Sequence, residues 1–114
     1  MTPTPLVGGP YVTRVPIRLR DGTQIPTGAH LIITWSRTAS THGATWVDGP
    51  TPDRVLVLPG LTLGRALAGS VPSDAQVQAW VFDGVCETPR GDTVEPDGFG
   101  PDRCPSWLWL LGIE

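Results

Sequence analysis

The sequence predicts an all-β protein, built as a small β-sandwich or a barrel. Short apolar runs alternate with polar residues at a period of two, which is the spacing of a strand with one buried face. Glycine (14 residues) and proline (13 residues) together make up nearly a quarter of the 114 residues. They divide the chain into pieces too short for long helices and predict many turns.

The first predicted strand covers residues 12–20. Its apolar residues occupy every second position, and its other face carries arginines, among them Arg18 and Arg20. An aspartate–glycine pair follows, and this pair accepts the positive φ of a tight turn. The next predicted strand covers residues 30–35, whose alternate apolar positions end at Trp35. We expect the two strands to form a scaffold with one buried face and one arginine-bearing face.

The remaining elements follow from the same patterns. We expect an edge strand at 44–48, a central strand at 54–58, a strand at 75–83, a long loop at 84–105 and a final buried strand at 106–111. The stretch 61–69 fits a short helix and a strand equally well, because one helical turn of apolar residues is flanked by glycines.

Residues 11–114 are predicted to form a single β domain, and residues 1–10 an extended N-terminal arm. The arm contains three prolines and two glycines and has no apolar core of its own. Two interpretations stay open. The arm either frays, as most termini do, or packs on a neighbouring subunit through Pro3 and Pro5.

Charge and hydropathy argue against several classes of partner. The formal net charge is −3, and all eight basic residues are arginines, so the basic stripe of a nucleic-acid-binding protein is not expected. No apolar run reaches the roughly 18 residues of a membrane span. The N-terminus lacks the basic and apolar parts of a signal peptide. We therefore expect synthesis in the cytoplasm.

One stretch resembles a known family. The phrase Leu58-Pro59-Gly60-Leu61-Thr62-Leu63-Gly64, followed by the predicted strand at 75–83, is similar to the E–F region of fibronectin type III-like domains. The resemblance covers about a quarter of the chain and implies an immunoglobulin-like sandwich. It implies nothing about function, because this fold carries many functions.

Two cysteines, Cys86 and Cys104, bracket the 17 residues of the long loop. A disulfide there would contribute on the order of 3 kcal/mol by restricting the unfolded chain. Reduced thiols are the alternative. No metal site is expected, because zinc would lack its remaining ligands. A calcium loop that begins at Thr93 lacks its first acid and its final glutamate.

Catalytic motifs are missing from the sequence, and no cofactor is expected. There is no nucleophile elbow, no paired-histidine zinc motif and no phosphate-binding glycine loop. His42 and the acidic loop around Asp97 are the candidates for a small enzyme. Five tryptophans are many for this length. They either fill the core of a small domain or form an aromatic platform for a sugar or a protein.

Taken together, these features predict a non-enzymatic structural module. The chain resembles small accessory β-domain proteins of tailed-phage virions, such as head-decoration or tail proteins. The shared features are an N-terminus without a signal peptide, an extended arm, a long loop and abundant aromatic residues. That resemblance implies a virion location and protein partners in a homo- or hetero-oligomeric assembly. The alternatives are a carbohydrate-binding module that stacks a glycan on Trp46 and Trp80, and a small enzyme. The expected interface residues are Pro3, Pro5, Tyr11, Arg18, Arg20, Trp46, Trp80, Phe82 and Phe99.

Overall fold

The computed structural model describes residues 6–36 and 41–112. In this part of the chain the strands are β1 (Leu6–Val12), β2 (Ile17–Arg18), β3 (Gln24–Ile25), β4 (His30–Trp35), β5 (Thr41–Trp46), β6 (Val55–Pro59), β7 (Cys86–Glu87) and β8 (Thr93–Val94). The helices are α1 (Gly60–Ala68), α2 (Asp74–Asp83) and α3 (Trp107–Leu110).

The main structural unit is a four-stranded antiparallel sheet in the order β1-β4-β5-β6. Two two-stranded ribbons, β2-β3 and β7-β8, accompany it. The prediction of a protein rich in antiparallel strands is confirmed. The described residues form no closed barrel, and they do not show a two-sheet sandwich. Helical side chains such as Leu63, Leu67 and Leu108 complete the core that the sheet begins.

Strand β4 is the centre of the sheet and confirms its sequence pattern. Leu31, Ile33 and Trp35 are almost fully buried, because alternate side chains of a strand point to one face. Cross-strand pairing extends that inner face to neighbouring strands. Its other members are Leu6, Gly8, Tyr11, His42, Ala44, Trp46, Leu56 and Leu58.

The predicted arm is wrong for residues 6–10, because they belong to strand β1 and pair with β4. The register shifts between Gly8 and Tyr11, and Gly9 has a φ of +113°. The glycines and the proline therefore mark a bulge inside a strand, which is a position where these residues are tolerated. Pro3 and Pro5 lie outside the described residues.

The predicted strand over residues 12–20 is also wrong in its length. Val12 is the last residue of β1 and pairs with His30; among the described residues after it, Ile17 and Arg18 pair with Ile25 and Gln24 of β3. Before them the chain leaves the sheet, and the Arg14 amide donates to the carbonyl of Ala66 in α1. The alternating pattern was correct for burial, since Ile17 is buried, but tertiary contacts replaced the expected ladder.

For the next two strands, the predicted edge and central positions in the sheet are reversed in the structure. The segment predicted as an edge strand at 44–48 is the end of β5, which lies between β4 and β6. The segment predicted as central, 54–58, forms most of β6, which among the described strands pairs with β5 alone. Apolar residues on both faces indicated burial on both sides, yet Val55 and Val57 remain exposed.

Two segments that were predicted as strands are helices, and a serine caps the N-terminus of each. The segment 75–83 lies within α2, where the Ser73 hydroxyl accepts from the amide of Gln76 at 3.1 Å. The spacing Ser-x-x-Gln is that of a capping box, which the alternation of valines concealed. The segment 106–111 forms the single-turn helix α3, where Ser106 accepts from the amide of Trp109.

The stretch 61–69 lies within helix α1 apart from Gly69, which ends the helix with a φ of +94°. Of the two alternatives left open for this stretch, the structure has the helix. The segment 84–105 carries the short β7-β8 hairpin and an isolated bridge between Phe99 and Pro105. It is irregular elsewhere, as expected for a long loop.

Candidate interaction site

Strand β6 is the centre of the candidate site, because two exposed features meet there. One is the outer face of the sheet, and the other is a groove along the free edge of the strand. The side chains of Val55 and Val57 lie on the outer face, and the same residues line the groove. They are 62% and 69% exposed, which is unusual for apolar residues of a strand.

We call the outer surface the valine face and define it by Val7, Val12, Ile32, Val55 and Val57. The pairs Val7–Thr34, Thr34–Gly43 and Gly43–Val57 form one row across all four strands. Ile32, Thr45 and Val55 form the next row. Threonine and glycine separate the apolar side chains, and no described helix or loop covers the valines. The sheet thus presents an uncharged, β-branched surface with an ion pair, His30 to Asp48, at its rim.

The second feature is a continuous groove between β6, helix α1 and the β2-β3 ribbon. One cavity of about 620 Å³ lies along β6, and one of about 680 Å³ lies along α1. Arg18 and Thr62 line both cavities, so the two are adjacent. We call the whole the arginine groove, lined by residues 15–21, Gln24, 54–59, Leu61, Thr62, Arg65, Ala66 and Val71.

The arginine groove is basic although the protein is acidic. Four arginines line it, and Asp21 is its only carboxylate among the described residues. Asp21 is already engaged. The Thr23 amide donates to it at 2.9 Å, and this bond, together with Arg54 at 3.5 Å, holds the pKa of Asp21 below its usual range. In the described chain, Arg18, Arg20 and Arg65 therefore face solvent without a carboxylate partner.

The predicted interface residues separate into two groups. Arg18 and Arg20 lie together in the groove and are exposed. Phe82 on α2 is 91% exposed, and Phe99 in the long loop is also exposed, but neither lines the groove. The groove's Arg54 and Arg65 and the free edge of β6 were missed. Placing four arginines around one groove depends on contacts distant in sequence.

The predictions for Tyr11 and Trp80 as surface residues are wrong, because both are buried. Trp46 is half-buried on the inner face of the sheet. Strand alternation had placed Trp80 on an outer face, whereas helix α2 turns it into the core. The expected glycan platform of Trp46 and Trp80 is therefore not exposed as predicted.

Tyr11 ties the long loop to the sheet. Its hydroxyl donates to the backbone carbonyl of Asp102 at 2.8 Å and accepts from the Trp35 indole at 3.3 Å. The Arg90 guanidinium lies 5.6 Å from the ring centroid and also bonds Asp102 at 3.0 Å. Burial raises the pKa of Tyr11 strongly, so the hydroxyl stays protonated and acts as a structural donor.

His42, the candidate enzymatic histidine, lies in the core. Its ring stands edge-on to Trp35 and stacks on Trp109 at 5.7 Å. Nδ1 accepts from the Ser36 amide at 2.9 Å, which requires that nitrogen to be unprotonated. Burial lowers the pKa of His42. The neutral ring is thus part of an aromatic cluster.

We expect this histidine to weaken the fold in acid. Because the folded-state pKa lies below the unfolded value of about 6.5, the unfolded chain binds a proton first as the pH falls. The free energy of unfolding then decreases below about pH 6.5, by at most about 1.4 kcal/mol per pH unit for one proton. Urea denaturation between pH 5 and 8 measures this slope. His42→Asn should flatten it; equal slopes in wild type and His42→Asn would contradict the expectation.

Cys86 and Cys104 are fully buried free thiols. Burial raises the pKa of Cys104 strongly, and the nearby carboxylate of Asp102 adds to this. Of the two states left open by the sequence, the structure has the free thiols. Among residues 6–36 and 41–112, no three His, Cys, Asp or Glu side chains come close enough to share a metal ion. No described helix is long and apolar enough to cross a bilayer.

Comparison with protein-family models, with curated proteins and with solved structures finds no match to this chain.

Proposed function

We propose that the protein is a non-enzymatic assembly module that docks on other proteins in a larger lattice, such as a tailed-phage virion, where it acts as a head-decoration or tail protein. The valine face is the observation that carries this proposal. It spans the whole main sheet, and its two most exposed members, Val55 and Val57, are more than 60% exposed. Val55 and Val57 are neighbours on this face of β6, and exposed apolar patches mark protein–protein contact sites.

Energetics favour a covered valine face. Burying apolar surface contributes about 25 cal/mol per Å², and β-branched side chains lose little rotamer entropy on docking because they are already stiff. A partner that binds only the folded chain also stabilises it by mass action. The arginines of the groove do not belong to this face, so a partner docked on the face leaves them at the sheet edge, where they can reach a neighbouring molecule.

The experiment replaces one valine on the face and one outside it. Val57→Lys places a charge on the most exposed valine of the proposed contact, whereas Val81→Lys changes a 55% exposed valine of α2. We expect Val57→Lys to reduce the tagged chain in virion-sized particles at least tenfold, because an unpaired charge is costly to bury. The variants are expressed from the gene's native genomic position. Density-gradient sedimentation of the cell lysate, followed by mass spectrometry of the particle fractions, measures this fraction.

Both variants should retain the wild-type melting temperature, since surface substitutions usually change stability by less than about 0.5 kcal/mol. Equal losses for Val57→Lys and Val81→Lys would show that the valine face is not the contact. A wild-type chain that sediments only as a free monomer would contradict the assembly role itself.

A further inference from the structure

Strand β6 is a sheet edge with its backbone open to the arginine groove. The Val47 amide donates to the carbonyl of His30. The backbone groups of His30 and of every second residue after it in β4 therefore point toward β5. In an antiparallel ladder the bonding direction alternates along each strand. Gly43 and Thr45 of β5 therefore face β4, and His42 and Ala44 face β6.

The same alternation applies to β6. His42 pairs with Leu58, and Ala44 pairs with Leu56, so these two residues of β6 bond inward. Val55 and Val57 consequently direct their N–H and C=O groups away from the sheet. Within residues 6–36 and 41–112 no backbone or side-chain group bonds to them there. Such an edge is a template for a further strand.

The groove has room beside this edge. A strand that adds to β6 would lie 4.7–4.9 Å from it, within the cavity of about 620 Å³ along β6. Arg18 and Arg20, two positions apart, also line this cavity. Side chains of an extended peptide that point to one wall are also two positions apart. Carboxylates at alternate positions of the peptide would therefore meet both guanidinium groups.

We propose that the arginine groove binds an extended, acidic segment of a partner protein, which adds to β6 as a fifth antiparallel or parallel strand. Backbone bonds to Val55 and Val57 hold the segment in place, and Arg18 and Arg20 select its charge. This inference deepens the proposed function and rests on it for the existence of a protein partner. The groove shares Val55 and Val57 with the valine face, whereas Arg18 and Arg20 do not belong to that face, so the arginine variants test the groove separately.

The experiment measures binding of synthetic peptides to the purified full-length chain by fluorescence anisotropy. The probe is a fluorescent octapeptide of alternating glutamate and valine, and its partner probe has lysine in place of glutamate. Arg18→Glu with Arg20→Glu should weaken binding of the glutamate peptide at least tenfold and strengthen binding of the lysine peptide. The matched control, Arg14→Glu with Arg103→Glu, changes net charge equally outside the β6 edge and should leave both affinities within about threefold.

A backbone variant tests strand addition independently of charge. Val57→Pro removes the amide that points into the groove, and proline is tolerated on the free side of an edge strand. We expect it to weaken binding at least tenfold while circular dichroism keeps the wild-type spectrum. If Val57→Pro unfolds the chain, the glutamate peptide is instead N-methylated at alternate amides. This change removes the backbone donors of the peptide, and we expect it to weaken binding to the wild-type chain by the same factor.

Three results would overturn the proposal: no binding of the glutamate peptide, equal losses in both double variants, or a dimer through β6 seen by ultracentrifugation. Peptide binding by the isolated chain does not require a particle. Failure here would thus leave the sedimentation result for Val57→Lys unaffected, and a failed particle assay would leave the groove's peptide affinity measurable.

Discussion

Trp35→Ala is expected to lower the free energy of unfolding by about 3–5 kcal/mol, which is the usual cost of emptying a buried aromatic site. Trp35 is 2% exposed at the end of the central strand. Its ring centroid lies 6.1 Å from that of Tyr11 and 5.2 Å from that of His42. Removing it opens a cavity between two packed rings and leaves the Tyr11 hydroxyl without the indole donor.

Native domains are stable by only about 5–15 kcal/mol, so a loss of this size removes a large share of the total. Urea denaturation followed by far-ultraviolet circular dichroism measures it. The control is Phe82→Ala, which removes an aromatic ring that is 91% exposed and should change stability by less than about 0.5 kcal/mol. Similar losses for the two variants would show that Trp35 is not in the core.

Gly8→Ala is expected to destabilise the protein by about 1–3 kcal/mol or more, the range for overfilling a packed site. A Cβ at Gly8 would lie 2.8 Å from the backbone oxygen of Asp102 and would overlap the Tyr11 hydroxyl. That hydroxyl joins β1, β4 and the long loop. The methyl group must therefore displace the bond that holds the loop.

The matched control is Gly43→Ala in the same sheet. Its Cβ would point to the valine face, with Val55 Cγ1 at 3.3 Å as its nearest neighbour, and the 62% exposed side chain of Val55 has solvent space into which it can shift. We expect a change within about 0.5 kcal/mol. Thermal unfolding of both variants measures the difference. If Gly8→Ala were also neutral, residues 6–10 would behave as the free arm that the composition indicates.

Local patterns predicted those features of the fold that depend on neighbours in sequence. Strand β4 was predicted because its three buried residues alternate and no helix cap interrupts them. The positive φ of Gly22 was predicted from the aspartate before it. Helix α2 was missed because its valines also alternate, and the Ser73 cap that selects the helix is a single hydrogen bond.

The candidate site was predicted only in part. Arg18 and Arg20 were selected because they lie on the polar side of an apolar alternation, and the structure places them in one groove. The exposed edge of β6 was not predicted, because an apolar run looks the same whether a neighbour covers it or not. Tyr11 and Trp80 were misplaced for the related reason that burial of an aromatic depends on the packing of distant elements.

By itself the sequence determined short strands, the turns between them and an acidic chain whose cations are all arginine. These properties follow from side-chain periodicity, backbone preference and composition, which act over a few residues. The tertiary structure alone decided which strand is the edge, which face is uncovered and which arginines share a groove. The physical reason is that each of these depends on contacts such as Tyr11 with Asp102, 91 residues apart, which local preference does not specify.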